Sequence, residues 1–193
     1  MASDMSTDLP AFPATHTDPL TLHETADDPD ALATYIDTMR ERLAVGELDA
    51  ADELELRALL GGALRMAGWF EDALAVLDDA AVLAGRAGDP VRAHTALIRL
   101  AHAHQWRGDF ATSNEMFDGL LADAPQYSDR VRAFTLQHAG ENAYDQQRFS
   151  LAAVYFSAAL QLRQQDGAPE DEVESSRRAW ARSTACIEPD HYP

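Results

Sequence analysis

The sequence holds one cysteine, no lysine and no long apolar run in 193 residues. Each absence excludes something. Cys186 alone can form neither an internal disulfide nor a cysteine zinc cluster, and no activating base stands near it in sequence. No apolar stretch approaches the roughly 20 residues that a membrane helix needs. No basic region followed by an apolar stretch opens the chain, so a soluble, cytoplasmic protein is expected. All fifteen basic residues are arginine, a usage that GC-rich coding favours. Strand signals are lacking too: there is no alternating β-branched run and no Asn-Gly hairpin.

The motifs of common enzymes are equally scarce. There is no His-Glu-x-x-His pair, no glycine-rich phosphate loop and no Gly-x-Ser-x-Gly turn. Seven histidines are present, but His102 and His104 are two apart, about 200° around a helix axis. They cannot serve one metal from one face. His102 and His138 could meet on neighbouring helices and form a two-histidine site, the basis of an alternative reading as a small metal-dependent hydrolase. The main reading is a non-enzyme without metal or cofactor.

Charge is abundant and uneven. The net charge is −18. Residues 1–39 carry −8, residues 40–84 carry −6, residues 85–163 are neutral, and the remainder carries −4. Phosphate backbones need a cationic surface, so nucleic acid is not the expected partner. The neutral middle does not repel an acidic ligand.

Between residues 28 and 187 the chain reads as helix, rich in Ala, Leu, Arg, Glu and Gln. Asp28-Pro29 and Asp89-Pro90 each put a capping carboxylate before a proline suited to the first helical position. Ser128 can cap another helix. Pro169 opens the last one, with Glu170, Asp171 and Glu172 at its positive end. The resulting map has eight helices: 29–45, 49–67, 70–86, 90–107, 110–123, 129–146, 149–165 and 169–186. Short connections imply antiparallel neighbours. Residues 1–27 mix Thr, Asp, Ala and Pro without a period and read as a disordered acidic tail; residues 188–193 read as a second, short tail.

Three segments of the helical part line up. Leu60-Gly61-Gly62-Ala63-Leu64 leads to Gly68-Trp69-Phe70, and Leu100-Ala101-His102-Ala103-His104 leads to Gly108-Asp109-Phe110. Gly140-Glu141-Asn142-Ala143-Tyr144 leads to Gln147-Arg148-Phe149. Each is followed by a small residue and, four positions on, a large one: Ala73 with Leu77, Ser113 with Phe117, Ala152 with Phe156. Val91-Arg92-Ala93-His94-Thr95 also returns as Val131-Arg132-Ala133-Phe134-Thr135, forty residues later.

This pattern resembles the tetratricopeptide repeat, over roughly residues 48–165. The period near 40 exceeds the usual 34, as in longer variants of the family. The resemblance implies an all-α, right-handed stack of helical hairpins. Its repeats would span about 49–88, 89–127 and 128–166, with capping helices 29–45 and 169–186, in one domain over 28–187. It also implies a concave groove lined by the first helix of each pair. That groove would present Gly62, Arg65 and Met66, then Ile98, Arg99, His102, Gln105 and Trp106, then His138, Asn142, Asp145 and Gln146. Asn142 would contact the backbone of a bound peptide, and Arg65 and Arg99 could pair with carboxylates. The lysines of the carboxylate-clamp type are missing, so a chaperone tail is not the expected ligand. The implied function is a protein-interaction scaffold or adaptor that holds a partner segment. A self-associating module, such as a homodimer, is the alternative within binding functions. The acidic tail could also occupy the groove and compete with a partner.

Overall fold

The computed structural model describes residues 10–46 and 48–187. Among them are eight α-helices, packed in sequence order against their neighbours. They are α1 (Pro29–Val45), α2 (Ala50–Met66), α3 (Phe70–Ala87), α4 (Pro90–Trp106), α5 (Phe110–Asp123), α6 (Asp129–Asp145), α7 (Phe149–Asp166) and α8 (Glu170–Ala185). A 3-10 turn, Ala124–Gln126, joins α5 to α6. Every helix lies within one residue of its expected bounds at either end. None is long and apolar enough to cross a membrane.

The caps work as their chemistry requires. Asp28 accepts from the amides of Asp30 and Ala31, Asp89 from those of Val91 and Arg92, and Ser128 from that of Val131. Asp49 caps α2 in the same way, accepting from Ala51 and Asp52.

Three turns share one construction. The amide of Trp69 donates to Leu64 O, that of Asp109 to His104 O and that of Arg148 to Ala143 O, each at 2.9 Å. The residue before each donor has a left-handed backbone: Gly68 at φ 77°, Gly108 at φ 83° and Gln147 at φ 59°. The structural period is therefore forty residues and then thirty-nine. The third motif begins at Ala139, one residue before the sequence alignment put it. Small residues in this register let helices approach closely. A Cβ on Gly61 would come 2.4 Å from Leu77 Cγ, and one on Gly140 would come 2.6 Å from Phe156 Cε1.

Residues 10–27 depart from the disordered tail expected of their composition. Strands β1 (Thr15–Thr17) and β2 (Glu24–Ala26) pair antiparallel, Thr15 with Ala26 and Thr17 with Glu24. Three-residue strands are too short to leave a period-two signal. The turn is closed by the Asp18 carboxylate, which accepts from the amides of Leu20 and Thr21. Ala26 then packs with Leu32, Tyr35 and Leu60, which anchors the hairpin beside α1 and α2. Residues 1–9 and the expected tail at 188–193 lie outside the described residues.

α2 touches α4, and α4 touches α6, so the first helices of successive pairs share one face. At one end of that contact the buried His94 ring meets Thr135 Oγ1 at 2.9 Å. Thr135 donates its own proton to Val131 O, so His94 Nε2 carries the hydrogen between the two side chains. Burial lowers the affinity of His94 for a second proton, and Asp123 only partly opposes it. Above the ordinary imidazole pKa of about 6.5 both native and unfolded chains are neutral here. Below it the unfolded chain takes up a proton that the native ring resists. Stability therefore falls as pH drops from about 6.5 towards the lowered native value, by at most about 1.4 kcal/mol per pH unit from this group. Urea midpoints recorded between about pH 7.5 and 5.5 should lose that component in His94→Gln; an unchanged slope would assign it to other groups.

Candidate functional site

The shared face of α2, α4 and α6 is not bare: the hairpin lies on it. His23 stacks on Trp106 of α4, with ring centroids 4.2 Å apart and planes 16° from parallel. Its Nε2 reaches Asp145 of α6 at 2.9 Å. Glu24 pairs with the buried Arg65 of α2 at 3.3 Å, and Arg65 in turn lies 4.0 Å over the Trp106 ring. Tyr144 donates its hydroxyl proton to Leu20 O at 2.7 Å. Leu22 packs against the apolar cluster of Ala143, Tyr144 and Ala179. Three helices of the face thus grip one polypeptide segment by stacking, ion pairing, backbone hydrogen bonding and apolar contact.

Under the hairpin is a cavity of about 420 Å³. Thr17, Leu22 and Glu24 form part of its wall; His102, Trp106, His138, Glu141 and Arg163 form the helical part. His138 and Glu141 are one turn apart on α6, hence on one face. His138 Nδ1 stands 2.8 Å from Glu141 Oε2, and His102 Nε2 stands 3.3 Å from the same oxygen. Burial pushes the His102 imidazole well below its ordinary value, and Arg65, His138 and His23 add to the effect. Burial alone would raise Glu141. The facing His138 with its hydrogen bond, Gln137 and Arg65 outweigh that and hold the carboxyl below its usual range. His102 thus favours its neutral form beside a Glu141 that favours its carboxylate form. Gln137 donates to the other carboxylate oxygen, Oε1, at 3.0 Å.

The structure brings Arg65, His102, Gln105, Trp106, His138 and Asp145 together. Gln105 is buried and donates to Asp145 at 2.8 Å. Three other expected residues sit elsewhere. Ile98 is wholly buried in the core with Ala101 and Phe117. Asn142 is buried, and both ends of its amide are engaged with α5: Oδ1 accepts from Ser113 and Nδ2 donates to Asn114, each at 2.7 Å. Arg99 is exposed on a separate cavity between α2 and α4, with Glu55 and Arg92. Of the remaining groove positions, Gln146 bonds Asn114, Met66 packs against the first core cluster, and Gly62 makes no close approach.

The one-residue change of period explains the displaced asparagine. Counting back thirty-nine residues, Glu141 takes the place of His102 and Asn142 that of the buried Ala103. Glu141 was missed for that reason, although its spacing from His138 was a usable signal. His23, Glu24 and Tyr144 carried no signal, because nothing in a short polar segment marks where it will dock.

Among known proteins, no family model and no curated protein matches this chain.

Proposed function

We propose that this chain is a tetratricopeptide-like scaffold that holds a partner polypeptide against the face of α2, α4 and α6, and that its own N-terminal hairpin is the resident occupant of that face. One observation carries the reading: the face already grips a peptide, through Trp106, Asp145, Arg65 and Tyr144. The likeness of the three turns supports the repeat assignment. Main-chain contact and an aromatic anchor are the usual means of peptide recognition. The tethered hairpin competes at the high effective concentration of a short linker, in the millimolar range. A partner must displace it.

The test uses a labelled peptide of residues 10–27 in trans. The intact chain should bind it weakly. A full-length chain with His23→Ala and Glu24→Ala, whose own hairpin is loosened while the face is intact, should bind it at least about tenfold more tightly. A folded variant that takes up no peptide would overturn the reading.

A further inference from the structure

Beyond peptide binding, we propose that His102, His138 and Glu141 form a site for one divalent transition-metal cation of the zinc class, with its remaining coordination positions open to the cavity under the hairpin. The three ligand atoms lie within 4.8 Å of one another. Donors about 2.0–2.1 Å from a tetrahedral zinc stand about 3.3 Å apart. The distances from Glu141 Oε2, 2.8 Å to His138 and 3.3 Å to His102, are of that size. The two imidazole nitrogens lie within 4.8 Å of each other, so the rings must turn towards the carboxylate to close the set.

The hydrogen bonding around His102 points the same way. Trp106 Nε1 can only donate, and it donates to His102 Nε2 at 3.0 Å. That nitrogen therefore carries a lone pair. It also faces Glu141 Oε2, a second acceptor, at 3.3 Å. Moving the ring proton to Nε2 would relieve this contact but set two donors against each other at the indole. Neither tautomer satisfies both neighbours; a cation between the imidazole and the carboxylate removes the contact of two acceptors, and because it takes the Nε2 lone pair the indole must turn to another acceptor.

The surroundings fit a ligand set. Gln137 holds Glu141 Oε1 and is itself fixed by Ser176, which donates to Gln137 Oε1 at 2.8 Å. Such outer contacts orient metal-binding carboxylates. Arg65 would repel a cation, but Glu24 pairs with it. Arg163, buried in the same cavity wall, keeps Nε without a hydrogen-bond partner. That Nε is closed to solvent and lies 3.7 Å from Glu172 Oε2, an ion pair that balances the buried charge. Two imidazoles and one carboxylate favour Zn2+, Co2+ or Ni2+ over Mg2+ and Ca2+, which prefer all-oxygen sites.

The experiment titrates untagged, chelator-treated full-length chain with Co2+ and follows its visible absorption. One equivalent should bind, Zn2+ should displace it, and excess Mg2+ should not. Glu141→Gln and His138→Ala should each weaken binding by about a hundredfold, and His104→Asn, outside the cluster, should leave it unchanged. Imidazole ring signals in proton NMR give a readout without substitution: Zn2+ should shift those of His102 and His138 and leave His94 in place. No saturable Co2+ binding by the folded chain, or Zn2+ shifts confined to other histidines, would overturn the proposal.

Discussion

Phe156→Ala should lower the unfolding free energy by about 4 kcal/mol, enough to bring the thermal midpoint down by roughly 10 °C. Phe156 has no exposed surface and packs with Ala143, Tyr144, Ala152 and Ala179, at the junction of α6, α7 and α8. Its ring also lies against Gly140, where an added Cβ would meet Cε1 at 2.6 Å. Gly140→Ala should therefore destabilise despite its better helix propensity. Forcing a methyl into a filled core costs about 1–3 kcal/mol, against a propensity gain of at most about 1 kcal/mol. The two substitutions should not add. With the ring gone, the methyl at position 140 enters the space it leaves, and the double variant should be more stable than the sum of the single changes requires. Urea unfolding of the four chains measures this coupling. Strict additivity would show that the ring and the glycine do not share one contact.

That junction also shows what a sequence conveys and what it does not. Helix starts are local chemistry: an aspartate or serine side chain bonds amides two or three residues on, so Asp28, Asp89 and Ser128 mark their helices without help from the rest of the chain. Small-to-large pairing is nearly local as well, and Phe156 stood out as a large residue of the repeat. The register of Gly140 did not. Deciding whether it matches position 60 or 61 needs the turn at Gln147, and Gln147 takes the left-handed backbone expected of glycine without being one. The single-residue ambiguity moved the expected polar contact from Glu141 to Asn142, because consecutive helical residues face different neighbours. The hairpin was out of reach for another reason. It docks on four helices, and its contacts with α4 and α6 lie more than eighty residues away in sequence, where composition gives no hint of them.

Trp106→Ala should release that hairpin. The indole meets the His23 ring at 4.2 Å and supports Arg65, the partner of Glu24, so its loss removes one contact with the segment directly and loosens a second. Aromatic stacking contributes about 0.5–1.5 kcal/mol and a desolvated cation–π contact up to about 2 kcal/mol. A total near 2 kcal/mol corresponds to a roughly 30-fold rise in the undocked population. The readout is amide hydrogen exchange at three bonds that exist only when residues 14–27 are folded: Asp18 to His23 O, Leu22 to Asp18 O and Asp27 to Ala14 O. Protection there should fall by about that factor while amides inside α6 keep theirs. His23→Ala should reproduce a large part of the loss, because it removes the same stacking contact and the pairing with Asp145. If protection at these amides survives Trp106→Ala, the hairpin is held by Leu22, the Tyr144 bond to Leu20 and the Phe12 contact with Tyr35, and a partner arriving at α4 would not need to displace it. If protection is lost, one indole governs access to the peptide-holding face, and because the same indole donates to His102, the peptide face and the histidine cluster cannot change independently.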